Sequence, residues 1–148
     1  MRAVIQRSLQ AKVEVDGEIK GEIQKGLVVF LGITHNDTEK DIDYLVEKII
    51  NLRLIEENKQ EFEKSLLDTN EEMLIISQFT LYANCKKGRR PDFIKAAKSD
   101  IAKPLYEKFI EKIRMKGIKT AEGIFGAMMN ITLTNYGPVT IILESGIS

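Results

Sequence analysis

The feature that most constrains the fold is the run Gly26-Leu27-Val28-Val29-Phe30-Leu31-Gly32-Ile33. An apolar run with no polar alternation is typical of a strand covered on both faces. Such a strand needs a neighbour on each edge and a packed layer on each side. The flanking sequence supplies candidates. Ala3 to Arg7 has a strand-like pattern, and Ala11-Lys12-Val13-Glu14-Val15 alternates apolar and polar residues. Asp16-Gly17 then reads as a two-residue turn into Glu18–Ile23, which predicts a hairpin. Thr38 with Asp41 three residues on resembles a capping box. Ile42, Leu45, Val46, Ile49 and Ile50 follow on one helical face, predicting an amphipathic helix packed on the sheet.

A second apolar run, Met73-Leu74-Ile75-Ile76, leads directly into Ser77-Gln78-Phe79-Thr80-Leu81-Tyr82-Ala83. Two hydroxyls and a carboxamide within four residues must find partners or face a cavity, because an unsatisfied buried polar group costs about 1–3 kcal/mol. The residues allow two readings. One is a strand end whose hydroxyls bond neighbouring backbone. The other is a ligand site at the end of a buried strand, where hydroxyls can act as nucleophiles or relays and a glutamine can orient a substrate.

The remaining elements are plainer. Arg53-Leu54-Ile55 suggests a short strand, followed by an acidic surface stretch to Glu72. Residues 73–82 form one strand, and Asn84–Pro91 a basic loop marked by its Gly and Pro. Phe93–Ala97 suggests one helical turn. A longer helix from near Ile101 turns Ala102, Leu105, Tyr106, Phe109, Ile110 and Ile113 inward, with Pro104 near its start and Gly117 closing it. Gly123–Met129 combines small residues with thioethers, as a pocket wall or a close-packed turn would. Asn130–Thr134 and Val139–Leu143 read as two strands joined by a tight turn at Gly137-Pro138. By residue statistics alone that bond is trans.

A chain of 148 residues is expected to form one domain over 1–148 and to bury roughly two-thirds of its unfolded surface. Hydrophobic residues make up 43% and charged residues 30%, which excludes the disordered and membrane classes. No run approaches the 18 or so apolar residues of a membrane span, so no membrane association is expected. One His and one Cys leave nothing for a structural zinc site, and no loop spacing suggests another metal, so neither metal nor cofactor is expected. The lone Cys85 fits a reducing, cytoplasmic setting. A net charge of zero hides an uneven distribution. From Asn84 to Lys119 there are 12 Lys or Arg against 4 Asp or Glu, and from Glu56 to Glu72 there are 7 acidic against 2 basic residues. The basic segment is either a solvated helix face or a patch for a polyanion.

Ser77-Gln78-Phe79-Thr80-Leu81 together with Asn135-Tyr136-Gly137-Pro138-Val139-Thr140 resembles the signature pair of the D-aminoacyl-tRNA deacylases. The likeness extends over the chain, through Met1–Arg7, Gly26–Gly32, Gly88-Arg89-Arg90-Pro91-Asp92-Phe93 and Phe125–Met129. The resemblance implies a mixed, β-rich α/β fold with a barrel-like sheet and external helices. It implies hydrolysis of the ester between a D-amino acid and tRNA, with L-aminoacyl esters rejected and glycyl-tRNA left open. It also implies a homodimer in which a cis Gly137-Pro138 loop enters the partner subunit's site and holds the substrate ammonium, overturning the trans expectation. Thr80, Gln78 and Phe79 become the catalytic candidates. Ser77, Gly137, Pro138, Phe125, Ala127 and Met129 become substrate-binding candidates. Arg7 would orient the loop, and Lys86, Lys87, Arg89 and Arg90 would contact tRNA phosphates. The partner is D-aminoacyl-tRNA, with no role for DNA.

Two mechanisms remain open at this point. Thr80 could attack the ester, although no histidine is near it in the chain to activate it. Alternatively, backbone amides near Gln78 and Phe79 stabilise the oxyanion while the substrate's 2′-hydroxyl assists water, and this second route fits a protein with one histidine better. Phe62-Glu63-Lys64-Ser65 departs from the family pattern, which usually has Met-Asn before a serine. Two rival classes are a non-catalytic RNA-binding module using residues 86–119 and a cysteine hydrolase pairing Cys85 with His35. Neither accounts for both motifs.

Overall fold

The computed structural model describes residues 1–146. Its strands are β1 (Arg2–Val15), β2 (Glu18–Ile23), β3 (Gly26–Gly32), β4 (Arg53–Glu57), β5 (Gln60–Ser65), β6 (Glu72–Ser77), β7 (Thr120–Glu122) and β8 (Asn130–Glu144), with helices α1 (Glu39–Asn51) and α2 (Ser99–Met115). The main sheet runs β2-β1-β3-β6-β7, and β8 pairs with β1. β1 is antiparallel to β2, β3 and β8, whereas β3–β6 and β6–β7 are parallel, so the sheet is mixed. The two ends of the β2-to-β7 path curl toward each other. A Cβ added to Gly21 on β2 would stand 2.6 Å from the Glu122 carbonyl oxygen on β7. The result is a nearly closed barrel-like sheet, as expected.

The all-apolar reading of residues 26–33 explains the layering. Leu27, Val29 and Leu31 of β3 and Met73 and Ile75 of β6 pack outward with Ile42, Leu45 and Ile49 of α1 and Phe109 and Ile113 of α2. The alternate residues Val28, Leu74 and Ile76 point inward with Val13 and Ile23. A strand has side chains on both faces with period two, so both must be apolar when both are covered. Each such Leu or Ile contributes about 1.5–3 kcal/mol by leaving water. Tyr106 of α2 sends a polar group into the outer layer. Its hydroxyl donates to the Ile75 carbonyl at 2.9 Å, and burial pushes its pKa above the usual tyrosine range.

Local signals were followed closely in the first third of the chain. Asp16 and Gly17 both adopt positive φ (51° and 78°), as a two-residue hairpin turn of this kind requires. Thr38 and Asp41 form the reciprocal capping box, and all five apolar residues of α1 are buried. Gly117 closes α2 at φ 84°.

Four expectations are corrected. Residues 60–65 form a strand, pairing with β4 in a separate two-stranded sheet. The strand over 73–82 ends at Ser77, and Phe79–Tyr82 is a short 3-10 turn. α2 starts at Ser99, two residues earlier than expected; Phe93–Ala97 holds a single hydrogen-bonded turn, from the Ala96 amide to the Phe93 carbonyl, and its Ala97 amide bonds to Ile33. The Gly137-Pro138 segment does not reverse the chain. β8 is one strand whose two halves both pair with β1: Gln6 sits opposite Thr140 and Ser8 opposite Asn135. Five steps along β8 therefore face two along β1, and the surplus residues loop out as an extended bulge. The Gly137-Pro138 bond is cis, as the family resemblance implied. Among the described residues no helix is long and apolar enough to cross a membrane.

Candidate active site

The ends of β3 and β6 open into a cavity of about 590 Å³. Leu31, Ile76 and Ser77 form its floor, and Gln78 and Phe79 one side. The start of α2 contributes Lys98, Ser99 and Ala102, and the turn after β7 contributes Phe125 through Met129. Phe79 stacks edge-on against Phe93 with ring centroids 5.1 Å apart, and Phe125 packs on Tyr106 at 5.6 Å. The walls are thus mostly apolar with a few polar groups, the usual make-up of a small-molecule site. Lys98 is the only titratable side chain among the described lining residues. A hollow of about 500 Å³ beside α2 is lined by Glu107, Glu111, Arg114 and Glu122, but its Arg114 and Glu122 pair with each other at 3.0 Å.

The polar groups at the end of β6 are ordered by the 3-10 turn. The Gln78 backbone N–H donates to the Leu31 carbonyl at 2.8 Å, which ties the turn to β3. Among the described residues the N–H groups of Phe79 and Thr80 have no acceptor in the chain. The Gln78 carboxamide donates to the Thr80 hydroxyl. Thr80 is exposed and does not line the cavity; Gln78 does. From behind, Arg2 donates to the Leu81 carbonyl at 2.7 Å and stacks on Tyr82, so the far end of the turn is pinned to β1.

Of the residues singled out in the sequence, Ser77, Gln78, Phe79, Phe125, Ala127 and Met129 meet at this cavity. Gly137 and Pro138 do not. They are exposed at the β8 bulge, beside β1, and do not line the cavity of their own chain. Arg7 is 3% exposed, and its guanidinium donates to the Tyr136 carbonyl (3.0 Å), the Leu54 carbonyl (3.1 Å) and the Glu61 carboxylate (2.7 Å). The Arg7 bond, more than offsetting desolvation, holds the Glu61 carboxyl below the usual range. Phe62, with φ 59°, sits on β5 next to that ion pair and away from the cavity wall, so the 62–65 departure alters the hairpin, not the pocket. Lys86, Lys87, Arg89 and Arg90 lie exposed on the loop after the turn, and among the described residues none forms an ion pair. Cys85 is exposed, and His35 Nε2 bonds the Ile94 carbonyl at 2.6 Å, so the two make no dyad.

Lys98, Ser99 and Ala102 were missed as lining residues, because their place depends on where α2 starts. The Lys98–Asp100 stretch carries no apolar period to announce it.

The model of the D-Tyr-tRNA(Tyr) deacylase family matches residues 4–144. A D-aminoacyl-tRNA deacylase of Aquifex aeolicus (strain VF5) is 56% identical over 145 residues, covering 98% of both chains. One from Thermus aquaticus is 55% identical, covering 98% of this chain and 95% of the other. Among solved structures, the c-Myc DNA unwinding element binding protein superposes with a TM-score of 0.91 at 41% identity, over 99% of this chain and all of that one. A probable eukaryotic D-amino acid tRNA deacylase superposes with a TM-score of 0.83 at 17% identity, over 96% of this chain and 97% of that one, which speaks for the fold alone.

Proposed function

The chain belongs to the D-Tyr-tRNA(Tyr) deacylase family, and from that premise we propose how its residues hydrolyse the ester that joins a D-amino acid to tRNA. It is a hydrolase acting on ester bonds, releasing the D-amino acid and free tRNA. The terminal adenosine occupies the apolar part of the cavity between Phe125, Ala127 and Met129, and the ester lies against Ser77, Gln78 and Phe79. The free Phe79 N–H receives the developing oxyanion, where a fixed donor stabilises the transition state more than the ground state. The Gln78 amide is spent on Leu31, so Phe79 carries this role, and the Gln78 side chain orients the ester.

The observation that carries this reading is the absence of any carboxylate or imidazole from the described cavity lining. With no carboxylate or imidazole at hand to act as base, the substrate's own 2′-hydroxyl assists the attacking water. Thr80 acts through Gln78, holding its carboxamide in place. Thr80→Val is expected to lower kcat for D-tyrosyl-tRNA about tenfold, by freeing the Gln78 side chain. A nucleophilic Thr80 would instead make the same variant lose about a thousandfold or more, and wild type would accumulate an acyl-enzyme in a quenched burst.

Chirality is read by a second copy of the chain. In the homodimer the exposed Gly137-Pro138 tip of one subunit enters the other's cavity, holds the α-ammonium and blocks an L side chain. A filter of this kind has nothing to reject in glycine, so glycyl-tRNA falls within the same activity. The exposed Lys86, Lys87, Arg89 and Arg90 contact acceptor-end phosphates without reading sequence. The reaction belongs in the cytoplasm, with the tRNA pool.

A further inference from the structure

The geometry points to Tyr136 and Glu56 as positioning residues that, with Arg7 and Glu61, clamp the Gly137-Pro138 tip and thereby set the discrimination between D- and L-esters. This rests on the reading that the tip serves as the chiral filter.

The tip departs from β1 between Asn135 and Thr140 and is itself exposed. Its base is closed by Asn135, whose side chain accepts from the Val139 N–H and donates to the Thr140 hydroxyl, both at 3.0 Å. Gln6 of β1 adds a bond to Thr140 at 3.1 Å. Those bonds fix where the excursion starts and ends, but not which way it leans. The lean is set at Tyr136. Its carbonyl accepts from Arg7 Nε, and its ring lies under the guanidinium with 4.6 Å from Cζ to the centroid. Its hydroxyl donates to the Glu56 carboxylate, the first cause of a pKa pushed above the ordinary tyrosine value.

Arg7 is in turn fixed by Leu54 and Glu61. Glu56 and Leu54 lie on β4 and Glu61 on β5, so the acidic hairpin grips both the ring and the guanidinium that the tip rests on. Packing at Gly137 is tight from the same side. With φ 126°, an added Cβ would stand 2.8 Å from Arg7 Nη2. The charge that looked like a solvated surface run in the sequence is therefore partly structural. Neither Glu56 nor Tyr136 lines the cavity, so both act through the tip.

The test uses full-length Tyr136→Phe, Glu56→Ala and Glu56→Gln with matched D- and L-tyrosyl-tRNA. Tyr136→Phe keeps the ring on Arg7 but loses the bond to Glu56; Glu56→Gln keeps an acceptor. The expected result is a D:L ratio of kcat/KM lowered about tenfold in Tyr136→Phe and Glu56→Ala, mainly by faster L cleavage, and near wild type in Glu56→Gln. The double variant is expected to be no worse than either single, because both remove one bond. A lowered D rate with L cleavage no faster than in wild type would overturn the clamp.

Amide hydrogen exchange over residues 135–140 reads the clamp without any substrate. Exchange faster by about tenfold in Tyr136→Phe and Glu56→Ala supports it, and unchanged exchange overturns it. If wild type cleaved neither ester, the proposed reaction would fall and with it the assignment to selectivity. The exchange data would still decide whether Glu56 holds the tip.

Discussion

Replacing Arg7 with alanine is expected to cost about 3 kcal/mol of stability and to lower kcat/KM for D-tyrosyl-tRNA about a hundredfold. The stability loss follows from burial. Arg7 is 3% exposed and its guanidinium joins three segments of chain: β4 at Leu54, β5 at Glu61 and the β8 bulge at Tyr136. Alanine leaves the Leu54 carbonyl without a donor in a buried setting and opens a cavity the size of the guanidinium. The Glu61 carboxylate is half-exposed at 48% and regains water, so its loss adds little. The activity loss follows from geometry, since the bulge would keep its base but lose the support beneath Tyr136. Arg7→Lys is expected to rescue little, because an ammonium on a flexible stem cannot reproduce donors fixed in three directions. Urea unfolding and single-turnover deacylation check the two halves separately. A variant of wild-type stability and rate would show that Arg7 is a bystander.

Gly26→Ala is expected to have the largest effect on the fold itself. Gly26 is paired on one side with Ser8 of β1 and on the other with Glu72 of β6. An added Cβ would lie 1.9 Å from the Glu72 carbonyl oxygen and 2.7 Å from its carbonyl carbon. Those atoms belong to the backbone of the adjacent strand, and no side-chain rotation relieves the overlap. The strands must separate where their pairing begins, at a cost of about 3 kcal/mol or more. For a chain of this size that is a fall in Tm of roughly 10 °C. β6 carries Ser77 into the cavity, so whatever folded protein remains should also be slow on D-tyrosyl-tRNA. A thermal melt within about 2 °C of wild type would contradict the close approach of β3 and β6.

What the sequence revealed, and what it hid, divides along a physical line. Thr38 and Asp41, Asp16-Gly17 and the helical face of Ile42 to Ile50 are local devices whose partners lie within a few residues, and each formed where the pattern placed it. The double-sided run 27–31 announced a strand with two covered faces, because side-chain alternation is a property of the strand alone. Gln60–Ser65 gave no such notice. Gln, Glu, Phe, Glu and Lys carry no apolar period, and the strand exists because β4 lies beside it. The β8 bulge was misread as a turn for a similar reason. Gly137-Pro138 has turn chemistry, but β1 is long enough to pair with both halves of β8, and that is a fact about residues more than 120 positions away. At the candidate site, Gln78 and Phe79 could be picked out by polar residues following a buried run. That Thr80 would sit outside the cavity could not be, since it depended on the chain turning into a 3-10 helix after Ser77. Glu56 and Glu61 were legible only as charge, and their hold on Tyr136 and Arg7 appears only once β4 and β5 fold beside the bulge.

The most direct test is the deacylation of matched D-tyrosyl- and L-tyrosyl-tRNA by the wild-type protein and by Gln78→Ala. The account predicts rapid loss of the D ester, an L ester cleaved at the uncatalysed rate, and a D rate lowered about a hundredfold by the substitution. Equal cleavage of both esters, or no cleavage of either above the uncatalysed rate, would contradict it.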